Sequence, residues 1–212
     1  MKVFGCVVRA GLAIAVSAAF WAAGLTAACG GELWVGSATV DITPDKPVAL
    51  QGQFHLRICK GVDNPLRAVA VALETRQADH AEDQAIFISC DLTGITDEMQ
   101  QKLRDRLRQE LADFDGRKLV LTATHTHTAP VLNSSWYEIP KQGVMQPAEY
   151  LDFLVDRLVQ LASQAWKGRK PGGVSWGLGY AVVGHNRRAV YADGSAIMYG
   201  PTNRPDFQNF ES

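Results

Sequence analysis

The chain has 212 residues, enough for one domain with a sizeable hydrophobic core. Its 21 basic and 22 acidic residues give a formal charge of −1, which excludes the strongly basic surface typical of nucleic-acid-binding domains. The four cysteines show no zinc-ribbon spacing.

Residues 1–28 have the pattern of a secretory signal peptide. Lys2 and Arg9 give a positive start, an apolar run follows, and small residues at 26–28 supply a cleavage site. We therefore expect an exported protein, secreted or periplasmic, with an uncleaved membrane anchor as the alternative. Cys29 is similar to a lipoprotein acceptor, but the leucine expected three residues before it lies four before. Lipid anchoring is therefore the weaker interpretation.

Three strands are predicted in the first half of the mature chain. Residues 33–42 read as a strand that ends before Pro44, and a loop rich in proline and glycine follows through Pro65. Residues 66–74 and 84–90 are near-continuous apolar runs, typical of strands that are covered on both faces.

Two cysteines of the mature chain, Cys59 and Cys90, leave two alternatives open. In an exported protein they can form a disulfide. Cys90, however, lies within an apolar run, where a buried free thiol is at least as well expected.

Two helices are predicted, one before and one after a strand at residues 118–124. The first begins at the N-cap Thr96, carries apolar residues four apart and ends at Gly116. The second begins with Pro147 and carries an apolar stripe through Trp166. Strands interleaved with helices predict an α/β fold, or a layered α+β fold, with a mixed β-sheet core and helices packed outside.

The carboxyl-terminal part of the chain has a less complete pattern. Residues 174–183 predict a strand, residues 191–196 a hairpin turn, and Ile197 the start of a return strand. No closing element is predicted before Ser212. We therefore expect residues 29–212 to be the amino-terminal part of a longer domain.

The most informative segment is residues 118–130, an apolar β-type run that leads into His125 and His127 and stops at Pro130. Residues two apart on a strand face the same side, so both rings would share one face at the strand's carboxyl end. Neutral imidazoles in that position can hold a metal or contact a substrate. A chance pair on a solvated strand end is the alternative.

This segment resembles the Thr-His-Thr-His-Ser-Gly-Pro signature of the neutral, non-lysosomal ceramidases, which are zinc amidases that hydrolyse the N-acyl bond of ceramide. The chain has Thr128 in place of the serine and Ala129 in place of the glycine. Less specific matches follow the family's order along the chain, at residues 35–44, 64–71, 88–94 and 184–188.

The resemblance implies a zinc-dependent amidohydrolase with Zn²⁺ as cofactor and a ceramide-like lipid amide as substrate, with contact at a membrane surface. It implies that His125 is a zinc ligand, that His127 is a hydrogen-bonding or acid/base partner of the scissile group, and that Arg187 donates to substrate oxygen. Two alternatives stay open. Both histidines could bind one metal, and Arg187 could be a surface residue.

The resemblance also implies an incomplete site. The family's second zinc histidine, its glutamate and tyrosine ligands and its catalytic serine would lie beyond Ser212, so we expect this chain alone to be inactive. Asp91 either orients a zinc histidine or caps the following turn. Two other functions compete with the amidase: an exported binding domain with the same fold and no chemistry, and a zinc hydrolase of other amides or esters.

Overall fold

The computed structural model describes residues 31–78, 80–133, 137–181, 183–184 and 186–211. The predicted signal peptide and Cys29 lie outside the described residues. The chain divides into two compact units, one up to residue 173 and one from residue 174. No helix in the described ranges is long and apolar enough to cross a membrane.

A five-stranded mixed sheet forms the centre of the first unit. Its strands, in chain order, are β1 (Glu32–Asp41), β4 (Arg67–Gln77), β5 (His80–Cys90), β6 (Leu119–Ala123) and β7 (Lys170–Pro171). They lie in the order β6-β5-β4-β1-β7, and only β5 and β6 are parallel. A separate hairpin contains β2 (Val48–Leu50) and β3 (Arg57–Cys59), within a segment predicted to be a loop.

Two helices accompany the sheet, α1 (Asp97–Glu110) and α2 (Pro147–Lys167). The predicted N-cap of α1 is confirmed, because the backbone N–H of Met99 donates to Thr96 Oγ1 at 3.2 Å. The helix ends at Glu110, well before the predicted stop at Gly116. The segment between them turns inward and buries Phe114, whose ring lies 4.9 Å from that of Trp166.

Both helices pack on one face of the sheet, and this confirms the predicted α/β fold with helices outside a mixed sheet. Alternate residues of β4 and β5 point into this core: Ala68, Ala70, Ala72, Ile86, Ile88 and Cys90. Gly36 lets α2 approach β1 closely, since a Cβ there would lie 2.0 Å from the carbonyl oxygen of Ala165.

The opposite face of the sheet is apolar and exposed in the described part of the chain. Val69, Val71, Phe87 and Val120 lie on it and are between 36% and 46% exposed. The prediction that these strands are covered on both faces is therefore wrong for the described residues. The physical reason is that both helices pack on the same side, which leaves the other half of each apolar run without a covering layer.

A buried ion pair lies at one end of the helix-covered face. Glu74 continues the inward-facing row of β4, and its Oε2 accepts from Arg169 Nε at 3.1 Å. Both side chains are only 6% exposed, and the Arg169 guanidinium lies 3.2 Å from the centroid of the Trp166 ring. Burial lowers the pKa of Arg169, while Glu74 opposes that shift by favouring the charged form.

The second unit contains a three-stranded sheet of β8 (Arg188–Tyr191), β9 (Ala196–Met198) and β10 (Phe207–Phe210), in the order β10-β8-β9. The predicted hairpin turn is confirmed, with Gly194 at a φ of 81°. The expectation that no closing element precedes Ser212 is wrong, because β10 pairs with β8 there.

The predicted strand at residues 174–183 is wrong for the residues described there, which form no strand. Trp176 and Tyr180, for example, are 91% and 96% exposed. A strand needs a neighbour for its backbone N–H and C=O groups, and no described segment pairs with this one.

We predict that Glu74→Gln lowers the free energy of unfolding by about 3 kcal/mol, because it leaves the Arg169 guanidinium buried without its main counter-charge. Urea unfolding measures this. The matched control is Glu110→Gln, which breaks the half-exposed pair with Lys167 and should cost under about 1 kcal/mol. Equal losses in the two variants would contradict the role given to burial.

Candidate functional site

The two histidines of the motif lie at the edge of the sheet where β5 and β6 end. Because these strands are parallel, their carboxyl ends meet at one place, and the loops that follow them become neighbours. Two hydrogen bonds join these loops: Thr124 N donates to Cys90 O at 2.9 Å, and Thr93 Oγ1 donates to Thr126 O at 2.8 Å. The candidate site is therefore built on a rigid strand pair.

The histidine pair itself lies in a loop. β6 ends at Ala123, and the backbone of His125 is left-handed, with a φ of 62°. The prediction that both residues continue the strand is wrong, but the rings still meet. The Nε2 atoms of His125 and His127 are 3.4 Å apart, and both side chains are exposed.

The contact between His125 and Thr93 indicates which ring nitrogen carries the lone pair. Nδ1 of His125 lies 2.7 Å from the carbonyl oxygen of Thr93. A carbonyl can only accept, so Nδ1 carries the proton and the lone pair of the neutral ring is on Nε2. This arrangement is typical of histidines that bind metals, whose second nitrogen donates to a carbonyl or carboxylate.

The hairpin of β2 and β3 holds the loop from the other side. Gly52, with a φ of 104°, lies against the His127 ring, so that a Cβ there would be 2.4 Å from His127 Cγ. Arg57 Nη2 donates to the backbone oxygens of His127 and Gln51. The hairpin and the loop also share backbone hydrogen bonds, including Gln51 N to Ala129 O at 3.0 Å.

Asp91 supports the loop through hydrogen bonds to residues other than the two histidines. Its carboxylate accepts from the backbone N–H of Arg67 at 2.9 Å and from Thr124 Oγ1 at 3.1 Å. Neither predicted role is seen, since these two bonds reach neither a histidine ring nor the turn that follows Asp91. Asp91 ties the end of β6 to the start of β4.

Both cysteines of the described chain are free thiols, so the disulfide between Cys59 and Cys90 does not form. Burial, with a smaller effect of the neighbouring Asp91, raises the pKa of Cys90 to about 12. Cys90 lies in the inward-facing row of β5 and is 0% exposed, so its thiol packs in the helix-covered core.

The donors present fit zinc in kind but not in number. Imidazole nitrogen is a common zinc ligand, and two nitrogens bound to one tetrahedral zinc at about 2.0–2.1 Å are about 3.3 Å apart. The observed 3.4 Å is close to that spacing. Within the part of the chain that the structure describes, no group of three or more histidine, cysteine or acidic side chains could hold a metal.

Arg187 belongs to the second unit and is exposed. Its Nη1 donates to the hydroxyl of Tyr199 at 2.5 Å, and its guanidinium lies 4.9 Å from the centroid of that ring. The structure thus brings His125 and His127 together in the first unit. Arg187 belongs to the second unit, and its described contacts lie within that unit. The substrate-side role of Arg187 stays a prediction.

Three residues that shape the site were missed by the sequence analysis: Gly52, Arg57 and Thr93. Gly52 and Arg57 lie in a segment predicted to be an irregular loop, and no periodic pattern marks them. Thr93 follows an apolar strand and lies within the family match at residues 88–94, and the meeting of parallel strand ends is the physical signal that could have placed it near His125.

Comparison with known proteins gives the family. The family model described as neutral/alkaline non-lysosomal ceramidase, N-terminal, matches residues 34–192. No curated protein sequence matches the chain.

Among solved structures, the neutral ceramidase from Pseudomonas aeruginosa matches 76% of this chain with a TM-score of 0.56 and 21% identity. A ceramidase complexed with C2 matches 76% with a TM-score of 0.54 and 20% identity. The chain spans 23% of the length of each of these structures. These two likenesses support the fold, and the match of the family model over most of the chain shows that it belongs to the neutral/alkaline non-lysosomal ceramidase family.

Proposed function

We propose that the complete protein is a zinc-dependent amidohydrolase that cleaves the N-acyl bond of ceramide or a related lipid amide, releasing a fatty acid and an amine. The observation that carries the proposal is the histidine pair. Nδ1 of His125 contacts the Thr93 carbonyl oxygen, and its Nε2 lies within hydrogen-bond distance of Nε2 of His127, at 3.4 Å. Membership of the ceramidase family supports the reaction class.

In this proposal His125 Nε2 is a zinc ligand and His127 serves the substrate. Bound zinc would supply the Lewis acidity that polarises an amide carbonyl and lowers the pKa of the attacking hydroxyl group or water. The exposed ring of His127 can donate a hydrogen bond to the carbonyl oxygen as negative charge develops there. Gly52 limits how far this ring can turn, because the two are in contact.

Arg187 is the proposed second donor to substrate oxygen. Its guanidinium has five N–H donors, so the bond to Tyr199 does not exhaust them. Stacking on the Tyr199 ring would hold the guanidinium plane in one orientation. Export of the protein, with a signal peptide at residues 1–28, is also part of the proposal, and those residues lie outside the described chain.

The first test separates the roles of the three residues in the complete protein. We expect His125→Ala to lose zinc and turnover together, because it removes a metal ligand. His127→Ala and Arg187→Ala should keep zinc and lose about 100- to 1000-fold in turnover, as removal of an oxyanion donor does. Elemental analysis beside kinetics distinguishes these outcomes, with His80→Ala as a control for loss of an exposed histidine elsewhere.

Two results would change the assignment. If His127→Ala also loses zinc, both rings bind one metal, which the 3.4 Å separation allows. If Arg187→Ala keeps full turnover, that side chain is a surface residue.

A second prediction concerns the contact between Gly52 and His127. Gly52→Ala should keep zinc and lower turnover by ~100-fold, because the new Cβ displaces the ring, and a shift of about 1 Å near the reacting atoms has that cost. Gly143→Ala is the matched control. Gly143 also has a positive φ, 72°, but a Cβ there would meet no atom within 4 Å. Equal kinetic losses in both variants would assign the effect to backbone strain and remove the role of the contact.

A third prediction concerns the 212-residue chain on its own. We expect weak zinc binding and no measurable amidase turnover, because two imidazoles are fewer than the three protein ligands that a catalytic zinc usually has. A fluorescent ceramide assay with added zinc, together with equilibrium dialysis, measures both properties. Turnover comparable to that of a complete family member would contradict the view that the site is incomplete.

A further inference from the structure

The backbone bonds between the β2–β3 hairpin and the histidine loop hold the part of the loop that follows His127. Gln51 N donates to Ala129 O at 3.0 Å, and Val131 N donates to Ala49 O at 2.9 Å. Ala129 and Val131 are 0% and 2% exposed, so these bonds fix the buried end of the loop. The exposed residue His127 precedes that end, and its position depends on a further contact.

Arg57, the first residue of β3, supplies that contact. A single nitrogen, Nη2, donates to the carbonyl oxygen of His127 and to that of Gln51, the latter at 3.2 Å. Gln51 directly precedes Gly52, which lies against the His127 ring. One guanidinium thus joins the peptide that carries the ring to the peptide before the glycine that faces it. A charged donor makes these bonds stronger than those of a neutral group.

We propose that Arg57 is a positioning residue for the reaction, which holds the His127 ring in its working orientation by binding the carbonyl group of His127. The inference rests on the proposed function for the reaction that the ring serves. A donor to a developing oxyanion acts from about 2.7–3.1 Å, so a ring that is free to turn loses much of its effect. Arg57 acts through His127 and touches no reacting atom.

Arg57→Met tests the proposal in the complete protein, because it keeps an unbranched side chain and removes the donors. We expect zinc content and KM to stay unchanged and kcat to fall about 10- to 100-fold, since a misplacement of about 1 Å can cost about 100-fold. Arg57→Lys should recover part of the loss. Both bonds come from one nitrogen, and a single ammonium group can replace it.

Arg104→Met is the matched control. Nη2 of Arg104, on α1, also donates to a backbone carbonyl, that of Leu119 at 3.4 Å. In both arginines Nε is buried and has no hydrogen-bond partner among the described residues. Leu119 begins β6, at the end of the strand away from the histidines, so kcat should stay unchanged. Equal losses of kcat in Arg57→Met and Arg104→Met would assign the effect to the fold as a whole and overturn the proposal.

A double variant separates positioning from a general structural role. In a protein that already carries His127→Ala, adding Arg57→Met should lower the residual turnover by less than about twofold, because no ring remains to be positioned. An arginine that only supports the fold would show its full loss again in this background. A double variant in which the two single losses multiply would therefore contradict the proposal.

The orientation of the ring can also be followed without any turnover. Metal-free protein is treated with diethyl pyrocarbonate, and peptide mass mapping gives the rate at His127 relative to that at His80, an exposed histidine elsewhere in the chain. We expect Arg57→Met to raise this ratio about tenfold, the factor that loss of one hydrogen bond from a charged donor carries. Arg57→Lys should lie between, and Arg104→Met should match the wild type.

The two measurements distinguish failure of this inference from failure of the proposed function. Amide turnover by the wild type, with Arg57→Met no slower than Arg104→Met, would overturn the role of Arg57 alone. A wild type that binds no zinc and cleaves no amide would overturn the proposed function. In that case the modification ratio decides whether Arg57 orients the ring, and an unchanged ratio in Arg57→Met would overturn this role as well.

Discussion

The parallel pairing of β5 with β6 is the constraint on which the candidate site depends. Two consecutive strands that run in parallel need a crossover, and α1 supplies it while covering one face of the sheet. As a result, the loops that carry Thr93 and His125 emerge at the same edge. The Thr93 carbonyl then holds the proton on Nδ1 and leaves the lone pair of His125 on Nε2, which lies within hydrogen-bond distance of His127. A backbone interaction thus determines which ring nitrogen is available for a metal.

The parts of the fold with strong local signals could be predicted from the sequence. Thr96 accepts a hydrogen bond from its own helix, and Pro147 fits the first turn of α2 because it has no N–H to leave unpaired. The histidine pair could also be predicted, because its motif is short and contiguous. The end of α1 could not, since burial of Phe114 against Trp166 depends on a helix about fifty residues further along the chain.

The parts that sequence reasoning missed depend on partners distant in the chain. The three-residue strands β2 and β3 have too few residues for a periodic pattern, and they are held in place by backbone bonds to the histidine loop and to Met145. Conversely, residues 174–183 have a strand-like pattern but no described partner, so they form no strand. Gly52 shows the same limit at the site, because its importance comes from a ring 75 residues away in sequence.

The left-handed backbone at His125 determines how this motif could be transferred to another scaffold. On a regular strand, two residues two apart lie about 6.5–7 Å from each other in the backbone, and their side chains stand side by side. Here the chain has left the strand, and the ring nitrogens approach to 3.4 Å. A designer who placed Thr-His-Thr-His on an ideal strand would copy the residues without their geometry. The loop, the carbonyl of Thr93 and the glycine that faces His127 would have to be grafted together.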